Sequence, residues 1–192
     1  MKTHHNGGSR FLFLLLGLVA FLAVSAATAG PTEVKADYPI TPVPFTAVKV
    51  TDAFWTPRIE TNRTVTIPAI FRKCEETGRI DNFAIAGGLM KGEYQGERYN
   101  DTDVYKTIEG ASYSLMVHPD PALDRYLDGV IAKIAAAQEP DGYLYTPRTA
   151  SPGKVQPGTG EERWAELAIS HELYNAGHLY EAAVAHFQAT GK

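Results

Sequence analysis

Cysteine is nearly missing from this chain: its 192 residues include one, Cys74. A single thiol closes no internal disulfide, so the fold cannot depend on a disulfide framework. Cys74 lies in the helical stretch AIFRKCEETG and reads as a small packed hydrophobe, not as a nucleophile. Clusters of lysine and arginine are missing as well, and the net charge is −4. Without a basic footprint for phosphates, nucleic acid is not an expected partner. Self-similarity at a period of about 34 residues is absent, and so is the Trp/Leu/Gly pattern of tetratricopeptide repeats, which weakens a solenoid reading.

Long apolar runs are confined to the first residues. Lys2 and Arg10 flank a polar lead, Phe11 to Ala27 is almost wholly apolar, and two small-residue patterns follow, Val24-Ser25-Ala26 and Ala27-Thr28-Ala29. This order is that of a secretory signal peptide. Residues 1–29 are therefore expected to be removed on export, leaving a secreted or periplasmic protein with no membrane partner. The apolar run is short for a span, and no cysteine follows it to carry a lipid. Residues 30–44 are Pro-rich and read as a linker. The triplets Asn62-Arg63-Thr64 and Asn100-Asp101-Thr102 match the glycosylation sequon and are read as chance matches.

Residues 45–192 hold the expected domain, long enough for one real core. FTAVKVTDAFW, bounded by Pro44 and Pro57, reads as a short strand or extended lead-in. Helices then dominate. Thr56-Pro57 opens one that is interrupted at Pro68 and stops at Thr77-Gly78. NFAIAGGLMKGEYQGERYNDTD reads as a Gly-rich connection. Asp101, Thr102 or Asp103 is expected to cap a helix carrying Val104, Ile108, Ala111 and Leu115 at helical spacing. Asp120 caps the next, with Leu123, Leu127, Val130, Ile134 and Ala137 as its apolar stripe. A long Gly/Pro loop spans about 141–160, a length that is often functional. A last helix is expected over 161–189. Paired antiparallel helices with little strand fit an α/α toroid, a solenoid or a bundle.

SHELYNAGHLYEAAVAH, residues 170–186, begins like the zinc-protease signature H-E-x-x-H, but position 175 is Asn. On a helical wheel His171, Asn175, His178 and Ala182 share a narrow arc, and Leu173, Ala176, Tyr180, Val184 and Phe187 cluster opposite as the expected packing face. A polar face backed by alanines suits a cavity for a hydroxyl-rich ligand. It equally suits a helix seam where the histidines bond backbone or water. Two histidines seven residues apart lie too far apart to share one zinc on a straight helix.

Five stretches occur in order: VTDAFW, NFAIAGG, NDTDVYKTIEGASYSLMVHPDPALD, AAQEPDGYLYTP and SHELYNAGHLYEAAVAHFQATG. Together they resemble the N-terminal part of the β-L-arabinofuranosidases of glycoside hydrolase family 127, over essentially everything from Phe45 to Lys192. The resemblance implies an all-α, incomplete (α/α)6 toroid preceded by a short extended segment, with the rest of the barrel and its β-sandwich domains absent. It implies retaining hydrolysis of arabinose-containing glycans by a cysteine thiolate held in a zinc site of three cysteines and a glutamate, with a second glutamate as acid/base. In the family those residues lie further along the chain, and Cys74 matches none of them. The expectation is thus a secreted glycosidase piece, inactive alone, binding no zinc itself although the complete enzyme uses it. One position carries over: the histidine of H-E-L-Y, here His171, is a sugar-hydroxyl contact in the family. Asp103, in D-x-D-V-Y-K, resembles a position near the pocket mouth, with helix capping as the competing role. The alternative function is a stand-alone, non-catalytic helical module that binds carbohydrate or protein.

Overall fold

In the computed structural model, residues 40–192 are described, apart from 152 and 155. The expected export leader, 1–29, and most of the linker lie outside the described residues. The helices belong to one unit, Val43–Lys192.

No strand occurs among the described residues. The expected extended lead-in begins with a single 3-10 turn, Phe45–Ala47, and continues extended from Val48. Helix α1, Trp55–Thr61, starts one residue before the expected Thr56. Its cap comes from further back, where the Asp52 carboxylate accepts the N–H groups of Trp55 at 2.6 Å and Phe54 at 2.8 Å. Those bonds favour the ionised form and hold Asp52 below its usual pKa. A π turn, Asn62–Thr66, links α1 to α2, Ile67–Glu76. Pro68 explains it: proline has no N–H to give the carbonyl four residues back, so the chain widens there instead of breaking.

Gly78 then turns the chain in the left-handed region, φ 73°. Helix α3, Arg79–Ala86, comes immediately after and buries Ile80, Asn82, Phe83 and Ala84. Its residues from Asn82 on were expected in the Gly-rich connection. With only two turns and no side-chain cap, α3 carries little local signal and is helical because it is buried. Asn82 reaches across to the connection after it: its Nδ2 donates to the Gln95 carbonyl and its Oδ1 accepts the Gln95 N–H, both at 2.9 Å. Helix α4, Asp101–Val117, buries the expected stripe of Val104, Ile108, Ala111 and Leu115. Helix α5, Pro121–Ala137, is capped as expected, with Asp120 accepting from Ala122 and Leu123. A short turn of helix, α6, Thr146–Thr149, interrupts the long loop, and α7 spans Glu172–Thr190.

Helix α4 packs along α7, α3 packs on α5, and α2 touches α3 and α4. One apolar core joins α2 to α5, with Phe71, Phe83, Tyr105, Ile108, Leu127 and Val130 at its centre.

Two expectations about the last helix are corrected. It begins at Glu172, not near 161, and residues 161–170 are turns. Its buried side is also not the apolar one: Leu173, Tyr180, Val184 and Phe187 are 60%, 67%, 56% and 61% exposed. The buried residues are Glu172, Asn175, Ala182, Ala185 and His186. A wheel shows which side chains share a face. The position of α4 decides which face is covered, and small residues such as Ala182 and Ala185 allow the two helices to approach closely.

Candidate functional site

A cleft of about 470 Å³ opens between the N-terminal turns of α4 and the start of α7. It is lined by Tyr99, Thr102, Asp103, Lys106, Leu167, Ala168, His171 and Tyr174. Its size falls within the range of small-molecule sites. The two residues singled out in the sequence, His171 and Asp103, line it together although they are far apart in the chain.

His171 sits just before α7, not within it, with φ 64° and ψ 15°. This left-handed conformation is uncommon for a side chain with a Cβ. Its Nδ1 lies 2.8 Å from the carbonyl of Ile169. A carbonyl only accepts, so Nδ1 carries the proton there, and in the neutral ring Nε2 is the acceptor. The ring packs between two tyrosines, 5.4 Å from Tyr99 and edge-on to Tyr174 at 5.6 Å.

Asp103 does not cap α4. No side chain caps that helix, and Asp103 instead accepts from Arg79 Nε at 2.7 Å, which ties α3 to α4 at the cleft wall. Lys106, one turn on, donates to the Tyr174 hydroxyl at 2.7 Å and lies over its ring at 4.9 Å.

The expected row of His171, Asn175 and His178 is not one polar face. Asn175 is buried beneath His171, and its Nδ2 donates to the His171 carbonyl at 2.8 Å. His178 turns to Glu181 at 2.9 Å and stacks edge-on against Tyr174 at 4.7 Å, outside the cleft lining. The cleft residues that the sequence reading missed had a signal. Tyr99, Thr102 and Lys106 stand with the already singled-out Asp103 at i, i+3, i+7 and i+4, and Tyr174 belongs to the H-E-L-Y motif itself.

The far wall, Leu167 and Ala168, belongs to the loop that runs up to α7, and three charged side chains organise that loop. The Arg148 guanidinium donates to the carbonyls of Thr159, Gly160, Glu161 and Glu162. Arg163 pairs with Asp141 at 2.5 Å, and also with Glu139. Glu172, fully buried, accepts from the Tyr143 hydroxyl at 2.5 Å, Ser170 Oγ at 3.0 Å and the Trp164 N–H at 3.1 Å. That last bond steadies Trp164, which is itself left-handed at φ 65°. Asp101 pins the other side. Buried at the start of α4, it accepts the Thr146 N–H at 2.9 Å and the Thr146 hydroxyl at 2.5 Å. Burial raises its pKa to about 6, against the lowering effect of those bonds.

A profile of the family described as "Beta-L-arabinofuranosidase, GH127 catalytic domain" matches residues 47–192. The chain belongs to the GH127 β-L-arabinofuranosidase family. It is 41% identical over 112 residues to a non-reducing end β-L-arabinofuranosidase of Bifidobacterium longum, a match covering 58% of this chain and 17% of that protein. Among solved structures it resembles a GH127 β-arabinofuranosidase with TM-score 0.76 and 57% identity, over 81% of this chain and 25% of that one. It also resembles a GH127 β-L-arabinofuranosidase from Geobacillus stearothermophilus T6 with TM-score 0.68 and 41% identity, over 75% and 23%. The chain thus spans about a quarter or less of these relatives, and its helices correspond to part of the GH127 α/α toroid.

The residues of this GH127 chain do not fit the zinc–thiolate centre that the family resemblance implies. Its one cysteine, Cys74, is buried in the core between α2 and its neighbours, and burial pushes the thiol up to about 11, far from a ready thiolate. Two groups of side chains bring histidine and carboxylates close together: Glu109, His178 and Glu181, and Asp124, Asp128 and His186. None of the six lines the cleft, and in the second group Lys192 already bridges both aspartates, at 2.8 and 2.7 Å.

Proposed function

We propose that this chain provides one wall of the sugar subsite of a glycosidase acting on β-L-arabinofuranosides. The carrying observation is the state of His171. Its Nδ1–H is committed to the Ile169 carbonyl, which leaves Nε2 to accept a hydroxyl proton, and the ring is wedged between Tyr99 and Tyr174 at the cleft. A furanose presents hydroxyls along its edge and C–H groups on its faces. A fixed imidazole acceptor beside tyrosine rings and a lysine ammonium matches that pattern. The names of the relatives add the sugar.

Cleavage of the glycosidic bond is assigned to groups other than those of this cleft. His171 and its neighbours bind and orient. A zinc-held thiolate, if the complete enzyme uses one, would come from cysteines that this sequence does not include. The N-terminal charge and apolarity pattern supports export, so the glycan would be met outside the cytoplasm. Edman sequencing of exported material that starts at Met1 would remove that part of the reading.

The test is titration of the chain with methyl β-L-arabinofuranoside, followed by heteronuclear NMR of the histidine rings. The His171 signals should move saturably, and the same concentrations of methyl β-D-glucopyranoside should leave them in place. His171→Ala should weaken binding by about tenfold, the upper end of what one hydrogen bond to a neutral group supplies. Equal binding by the variant, or no movement of the His171 ring, refutes the assignment.

A further inference from the structure

Asn175 stands where the zinc-protease signature has its second histidine, and the cleft lining does not include it. We infer that Asn175 is a positioning residue: it locks His171 in the left-handed conformation that presents its ring to the ligand. The inference rests on the reading of the cleft as a sugar subsite.

Four observations carry it. First, a histidine at φ 64° is held against its own backbone preference, so something nearby must over-determine it. Second, Asn175 grips the His171 carbonyl twice, through its backbone N–H and through its side-chain Nδ2, both at 2.8 Å. The backbone bond is the ordinary first turn of a helix. The side-chain bond exists because residue 175 has a donor.

Third, the same Nδ2 donates its other hydrogen to the Arg98 carbonyl at 3.3 Å. Arg98 immediately precedes Tyr99, the ring on the other side of His171. The Arg98 side chain returns the link, donating from Nε to the Ile169 carbonyl at 2.6 Å, the same oxygen that receives His171 Nδ1. Asn175 therefore fastens both halves of the Tyr99–His171 pair to one buried point.

Fourth, the orientation of its amide is decided by chemistry. Both groups near Nδ2 are carbonyl oxygens, which cannot donate, so the nitrogen end must face them. The Oδ1 end is buried without a protein partner. What the site uses is the pair of donors.

Asn175 touches no ligand in this scheme and acts through His171. The test compares Asn175→Ala with Asn175→Ser in the whole chain. A serine hydroxyl on a helix readily donates to the carbonyl four residues back, which here is that of His171. Ala and Ser differ by that one oxygen.

Two readouts are taken: the ring nitrogen-15 shifts of His171, which report its tautomer, and the affinity for methyl β-L-arabinofuranoside. In the parent, Nδ1 is expected as the protonated nitrogen. Asn175→Ala should move the ring signals toward a mixture of tautomers and weaken the sugar by about tenfold, and Asn175→Ser should keep the parental shifts and stay within about threefold. If Asn175→Ala does not fold, Asn175→Cys, close to serine in size and a weak donor, takes its place. Parental ring shifts in Asn175→Ala, or equal loss in the Ala and Ser variants, overturn the inference. If the parent binds no sugar, the subsite reading fails, and the ring shifts alone still judge whether Asn175 sets the state of His171.

Discussion

Replacing Asp101 by Asn should change how the stability of this fold depends on pH. Asp101 is 1% exposed, and its carboxylate faces the Thr146 N–H and hydroxyl with no cation paired to it among the described residues. Burial raises its pKa from 3.8 to about 6. The sign comes from proton counting. Between those two values the folded state holds the proton and the unfolded state has released it, so stability falls as pH rises through the interval. The shift is about 2 units, and each unit is worth about 1.4 kcal/mol, so the loss is on the order of 3 kcal/mol, complete above pH 6. Asparagine keeps the shape and carries no charge to bury. Its oxygen can accept the Thr146 N–H while its nitrogen donates to the Thr146 hydroxyl. Urea unfolding of both proteins at pH 4, 5, 6 and 7 measures the difference directly, and subtraction removes the exposed carboxylates, which shift the other way. The Asn variant should be closest to the parent, or less stable, at pH 4, and should gain on it by on the order of 3 kcal/mol by pH 7. A difference that stays constant within about 0.5 kcal/mol across the range would show that Asp101 ionises in the fold as easily as in water.

Glu172→Ala should be among the costliest single changes, because it strands the Tyr143 hydroxyl, Ser170 Oγ and the Trp164 N–H together. A loss of about 3 kcal/mol and faster proteolysis within 160–170 are expected, and an unchanged melting temperature would sink this account. Cys74 should react with a thiol reagent at pH 8 at least about a hundredfold faster in urea than in buffer, since its pKa near 11 leaves about one thiolate in a thousand even before access is counted. Equal rates would mean that α2 opens freely. Phe187→Ser should change the unfolding free energy of this chain by no more than about 0.5 kcal/mol, because the ring is 61% exposed; a loss near 3 kcal/mol would restore the apolar face of α7 to the core.

Much of this protein was legible without a structure, where the signal was local. Asp120 followed by Pro121 marks a helix start by itself, since a carboxylate there meets free N–H groups and proline loses nothing at the first position. The stripes of α4 and α5 repeat every three or four residues and are buried as read, except that Leu123 is only partly buried. His171 and Asp103 emerged from ordered motifs, and they line one cleft. Other features depend on partners distant in the chain, and no local pattern encodes them. Helix α3 is too short to signal itself and forms because Ile80 and Phe83 meet a core built by other helices. The start of α7 is displaced to Glu172 because that buried carboxylate gathers Tyr143, Trp164 and Ser170, residues 29, 8 and 2 positions away. The wheel of α7 correctly grouped its large apolar side chains but could not say whether that group faces α4, since periodicity carries no direction toward a neighbour. Asp103 resembles a cap on paper, but it is drawn to Arg79, 24 residues earlier, because the fold sets α3 beside the first turn of α4. The sequence determined where helices could form and which residues could carry chemistry. Packing decided which faces are covered, which charges pair, and that a histidine just ahead of a helix is turned into a left-handed bend facing Tyr99.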